Sequence, residues 1–97
     1  MRILAYEECR DCFTGILETG EAYCTFRLTA DNSLDLEHKY PKGRYRNLEH
    51  FQGVMGKFEP YVFFLTEPLE VDPLTYQALK QAVEERRWKY TQSVGKT

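Results

Sequence analysis

The sequence predicts an α+β domain: an antiparallel sheet of about four strands in a meander, with a C-terminal helix packed on one face. Three observations carry that expectation. The stretch Ala22-Tyr23-Cys24-Thr25-Phe26-Arg27-Leu28-Thr29 alternates apolar and polar residues with a period of two, the signature of a half-buried strand. Turn-forming clusters separate it from alternating or apolar stretches on either side. Beyond Asp72 and Pro73, no Gly or Pro interrupts the chain until Gly95, which leaves room for one long helix.

The elements follow in order. On the strand over 22–29, Ala22, Cys24, Phe26 and Leu28 share the core face, while Tyr23, Thr25, Arg27 and Thr29 face outward. Phe13–Glu18 precedes it through Thr19-Gly20-Glu21, a connection suited to a hairpin. Ala30–Ser33 is a turn cluster, and Leu34–His38 alternates again. Pro41 and Gly43 mark the following stretch to Arg46 as a loop. Leu48, Phe51, Met55 and Phe58 then recur at helical spacing, although Gly53 and Gly56 each weaken a helix by about 1 kcal/mol relative to Ala. Between Pro60 and Pro68, Tyr61–Thr66 is a continuous apolar run that reads as a central strand covered on both faces. The last helix is expected over residues 73–90, with Asp72 as cap and Pro73 at the first helical position. Tyr76, Leu79, Val83 and Tyr90 form its apolar stripe with Ala82 at the edge, and Glu85 and Lys89 are spaced as an i,i+4 pair.

With 97 residues, of which 42% are hydrophobic, the chain reads as one compact domain spanning 1–97. Its longest strongly apolar run, Val62–Leu65, is too short to span a bilayer, and Glu7 and Glu8 interrupt the N-terminus before a signal-peptide core forms. Three cysteines suit free thiols in a reducing cytoplasm better than a secreted disulfide framework. The net charge of −2 conceals an asymmetry. Residues 1–38 hold three Lys/Arg against eight Asp/Glu, and residues 39–97 hold ten against seven. Such a layout orients a partner or a second copy without making either half basic enough to dictate nucleic acid.

Four constellations carry chemistry. Cys9 and Cys12 form a Cys-x-x-Cys, for which Cys24, His38 and His50 are the remaining candidates to complete a four-ligand zinc set. On a regular strand the two thiols would point to opposite faces, so joint ligation requires a helix or a tight knuckle. In its placement after a short N-terminal strand the motif is similar to that of small glutaredoxin-like proteins, yet Glu7, Glu8 and Asp11 outnumber Arg10 and disfavour a thiolate. Asp35, Glu37 and Lys39 alternate along one strand and resemble the catalytic core of restriction-endonuclease-like nucleases. That resemblance implies carboxylates holding Mg²⁺ and Lys39 supporting the attacking water. His38 falls with Leu34 and Leu36 on the inward side of the same strand, an expected hydrogen-bonded core position.

The other two are contact surfaces. Lys39, Tyr40, Lys42, Arg44, Tyr45 and Arg46 combine cations for phosphates with aromatics for bases. Arg87 and Trp88, displaced from the apolar stripe of the last helix, are of the residue types that dominate interfaces. No cofactor motif and no nucleophile–base–acid set occurs. The leading expectation is therefore a small cytoplasmic interaction or regulatory module that binds a protein partner or itself through 39–46 and Arg87–Trp88. A nucleic-acid-binding module acting through 39–46 and a small zinc-binding or metal-dependent nuclease-like protein are the alternatives.

Overall fold

The computed structural model describes residues 1–58 and 62–95, with side chains as far as residue 87. The elements are β1 (Arg2–Cys9), β2 (Cys12–Glu18), β3 (Ala22–Thr29), β4 (Leu34–Pro41), α1 (Leu48–Phe58), β5 (Leu69–Glu70) and α2 (Tyr76–Gly95). The sheet order is β4-β3-β2-β1-β5, with every neighbouring pair antiparallel. The expected meander is present, extended by a fifth strand that pairs with Arg2 and Ile3.

Local chemistry sets the turns. Asp11 (φ 59°) and Asn32 (φ 67°) take the left-handed conformation that short polar side chains tolerate. Asp11 also accepts a hydrogen bond from the Ala30 amide at 3.0 Å, which ties the β1–β2 turn to the β3–β4 turn. At the opposite end of the sheet, the Thr19 hydroxyl accepts from the amides of Glu21 and Ala22 and so closes the β2–β3 hairpin.

Helices cover both faces of the sheet: the C-terminal helix packs on one face, as expected, and α1 covers the other. On one face Ile3, Phe13, Leu17, Cys24, Phe26 and Leu28 pack with Tyr76, Leu79 and Val83, the predicted stripe of α2. This helix begins at Tyr76, three residues later than Pro73, because Thr75 is its cap: the Thr75 hydroxyl accepts from the Ala78 amide at 3.1 Å. Its first turn is anchored to the sheet where the Tyr76 amide donates to Asn32 Oδ1 at 2.9 Å. On the other face Leu4, Ala5, Ile16 and Tyr23 pack with Phe51 and Met55 of α1. Tyr23, expected to face solvent, is buried there with its ring stacked on Phe51 at 4.1 Å and 15°. Tyr45 and Phe64 meet Phe51 edge-on at 5.1 and 6.2 Å. Burying a Phe side chain is worth about 1.5–3 kcal/mol and each aromatic pair roughly 0.5–1.5 kcal/mol more, so Phe51 outweighs the two glycines of α1.

The apolar run after Pro60 is not a central strand. Over residues 62–65 it has no strand structure, and its backbone bond to the sheet is Leu65 N–H to the Leu4 carbonyl, 2.8 Å. Val62 and Phe64 pack inward against the α1-side core while Phe63 is 82% exposed, so only alternate residues are covered. The central position belongs to β2, where Gly15 lies so close to β1 that a Cβ would stand 2.0 Å from the Ala5 carbonyl oxygen.

Candidate functional site

Eleven residues of α1 cover only part of their face of the sheet. Beside them remains an open cleft of about 650 Å³, a volume in the range of ligand sites. Its floor comes from the strands: Ala5 and Glu7 of β1, Thr14 and Ile16 of β2, Thr25 of β3, and Glu37, His38 and Tyr40 of β4. Met55 of α1 with Val62 and Phe63 of the following segment form its apolar side. Thr14 and Thr25 contribute short side chains to the floor, and Phe63 on the apolar side is largely unburied.

A β-bulge shapes the β4 side. The register shifts between Cys24 and Phe26, whose partners are Lys39 and Leu36, so Glu37 and His38 both stand opposite Thr25. The Thr25 hydroxyl accepts from the His38 amide at 2.9 Å, compensating the interrupted ladder. His38 consequently leaves the inward face on which Leu34 lies, is exposed, and tilts towards Tyr40 on the cleft side at 6.4 Å. The same bulge separates the nuclease-like set. Asp35 pairs with Arg27 and Lys39 with Cys24, and three residues apart on β3 means opposite faces, so the two do not converge on one metal or water.

The cleft has an electrostatic sign. Among the described residues the carboxylates in ion pairs are Glu8, Glu18 and Glu70. Glu7 and Glu37 are in none of these, and among the described residues no Lys or Arg lines the cleft. The cleft thus combines an apolar side with two carboxylates that form no ion pair among the described residues.

The predicted basic loop is built differently from a stacking platform. Tyr40 packs on Phe51 at 5.8 Å, and Tyr45 meets Tyr23, Phe51 and His50 edge-on at 5.1–6.1 Å, so both rings belong to the packing around α1. Lys42 Nζ sits 2.8 Å from Glu18, which Arg2 also binds, and 5.6 Å from the Tyr23 ring centroid. Burial pushes the Glu18 carboxyl up, but its hydrogen bonds to Lys42 and Arg2 outweigh that and hold it below the ordinary glutamate value. Lys39, Arg44 and Arg46 are exposed and form no ion pair among the described residues. Arg87 is held 3.0 Å from Glu8, on the α2 side; the side chain of Trp88 lies outside the described residues.

Cys9 and Cys12 are register partners across the two-residue β1–β2 turn, which places both thiols on one face. The hydrogen bond of the Cys12 thiol to Cys9 and burial raise that thiol above its ordinary value, against a lowering influence of Arg27. Cys24 is buried in the α2-side core, and although His38 shares the cleft face with the two thiols it does not converge with them on a ligand set. Among the described residues no group of three or more His, Cys, Asp or Glu converges as for a metal, and no described helix is long and apolar enough to cross a membrane.

Comparison of the chain with protein-family models, with curated proteins and with solved structures gave no match. Of the residues singled out from sequence as site candidates, Glu37, His38 and Tyr40 line the cleft; Glu7, Thr14, Thr25, Met55, Val62 and Phe63 join them only through the fold. The outward positions of Thr25 and of Glu37 were visible as alternation. The bulge and the position of the 62–65 segment left no local signal.

Proposed function

We propose that this chain is a small interaction module that binds a protein partner in the cleft between the sheet and α1. The occupant is a segment carrying an apolar side chain flanked by Lys or Arg. The apolar group packs against Met55, Val62 and Phe63, and the cations reach Glu7 and Glu37. The observation that supports this reading is the exposed Phe63 ring in the same cleft as two carboxylates that form no ion pair among the described residues, an apolar surface and a charge both left for something to cover. Self-association by edge pairing of β4 is disfavoured by its bulge and by the charges of Asp35, Glu37 and Lys39 along it.

The test uses two labelled peptides, a tryptophan flanked by arginines and the same tryptophan flanked by glutamates, with fluorescence anisotropy as readout. The arginine peptide is expected to bind about tenfold more tightly or better, a preference of about 1.4 kcal/mol, and Phe63→Ser is expected to abolish its binding. Equal binding of both peptides, or binding unaffected by Phe63→Ser, rejects the reading. A second reading, a polyanion-contacting surface at Lys39, Arg44 and Arg46, is favoured by the exposure of those three cations and weakened by the packing of Tyr40 and Tyr45.

A further inference from the structure

The sequence pattern Cys-x-x-Cys turns out to be a hairpin tip, and its geometry suits a reaction between the two sulfurs. Directly opposed residues of an antiparallel pair have Cα atoms about 4.5–5.5 Å apart. That lies inside the roughly 4.4–6.8 Å that a disulfide spans. Cys9 and Cys12 are such a pair, and no residue separates them from the turn they flank. Cys9 is exposed and Cys12 buried, so one thiol meets solvent while the other waits beneath it. Cys9 Sγ also lies 4.0 Å from the Thr14 hydroxyl, itself part of the cleft floor. The tip is braced, since the Asp11 carbonyl is bonded to the Ala30 amide, so closing a bond between the strands leaves the neighbouring turn in place. Cys24 lies fully buried in the core under α2 and is not exposed to an oxidant in solution.

We propose that Cys9 and Cys12 form a reversible dithiol site, closed to a cross-strand disulfide by low-molecular-weight disulfides such as oxidised glutathione. The Cys9 thiolate attacks one sulfur of oxidised glutathione, forming a mixed disulfide and releasing one glutathione thiolate. The Cys12 thiol, losing its proton to solvent, then attacks the Cys9 sulfur and expels the second glutathione. The balance is one protein dithiol oxidised, one glutathione disulfide reduced, and no other reagent consumed. This site rests on the β1–β2 geometry alone and stands whether or not the cleft binds a partner.

The experiment equilibrates the full-length protein in glutathione redox buffers, quenches with an alkylating agent and reads intact mass, then digests without reduction. Trypsin cuts after Arg10, between the two cysteines, so the closed site joins the peptides Ile3–Arg10 and Asp11–Arg27, and fragmentation assigns the second sulfur to Cys12 or Cys24. The expected result is a loss of two hydrogen atoms, a Cys9–Cys12 cross-link that dithiothreitol reverses, and in Cys9→Ser no intramolecular disulfide. Accumulation of a glutathione adduct on Cys9 without closure, a link to Cys24, or full alkylation of both thiols in oxidising buffer overturns the proposal.

Discussion

Gly15→Ala is the sharpest test of how the sheet is put together. The new Cβ would stand 2.0 Å from the Ala5 carbonyl oxygen and 2.8 Å from both the Ala5 carbonyl carbon and the Tyr6 Cα, all backbone atoms. An ordinary contact to these atoms is well over 3 Å, so β1 must retreat by more than about 1 Å, and no side-chain rotation can relieve the clash. The retreat strikes the ladder at Ala5↔Ile16, Tyr6↔Gly15 and Glu7↔Thr14. Losing two ladder hydrogen bonds costs about 2 kcal/mol, and overpacking adds roughly 1–3 kcal/mol, for a total of about 3–5 kcal/mol. A domain of this size has about 5–15 kcal/mol in all, so the variant is expected to lose some 12 °C or more in Tm or to fail to fold. Urea unfolding followed by far-UV circular dichroism measures it. The control is Gly53→Ala, where a Cβ meets nothing within 4 Å and the helix gains up to about 1 kcal/mol. A loss below about 1 kcal/mol at Gly15, or a loss at Gly53 comparable to it, would refute the close approach of β1 and β2.

Further expectations concern other parts of the molecule. Phe51→Ala removes the ring at the centre of the α1-side core and should cost about 3–5 kcal/mol, releasing α1; amide hydrogen exchange in α1 should rise with the sheet amides still protected, and uniform exchange across both would contradict this. Glu18 has its folded pKa below its unfolded one, so its stabilisation is present above the unfolded value and lost as pH falls through the folded one. Glu18→Gln should therefore cost about 1 kcal/mol at pH 7, with a deficit that closes in acid; a pH-independent deficit would assign the effect to packing instead. Arg44→Ala with Arg46→Ala should leave stability within about 0.5 kcal/mol of the parent while Tyr45→Ala lowers it measurably, a contrast that thermal melts resolve.

The parts of this structure that could be read from the chain are those with a strong local period. β3 runs over Ala22–Thr29 as its alternation predicts, and Tyr76, Leu79 and Val83 of α2 pack on the sheet as their spacing predicts. Three features escaped for physical reasons. Tyr23 looks outward by alternation, but a sheet covered on both faces has no outward side at its centre, and only the packing of α1 reveals that. Tyr61–Thr66 is apolar enough for a central strand, yet apolarity does not say whether a segment is buried by pairing or by side-chain packing alone; β2 already held the centre. Glu37 and His38 depend on a one-residue bulge, which shifts every later side chain of β4 to the other face and has no signature in the residues themselves. The candidate site was therefore less legible than the fold. The basic loop that stood out in the sequence spends Lys42, Tyr40 and Tyr45 on its own packing, whereas the cleft is assembled from residues far apart in the chain.

The proposed selectivity of the cleft rests on its apolar side together with the carboxylates of Glu7 and Glu37. The most direct measurement replaces both carboxylates, Glu7→Lys with Glu37→Lys, and repeats the two-peptide anisotropy titration. Both residues are exposed and outside the described ion pairs, so the fold should persist. The preference is expected to invert, with the glutamate-flanked peptide now bound at least as tightly as the arginine-flanked one was to the parent. An unchanged preference for the arginine peptide in a folded double variant would place recognition elsewhere on the molecule and contradict the assignment.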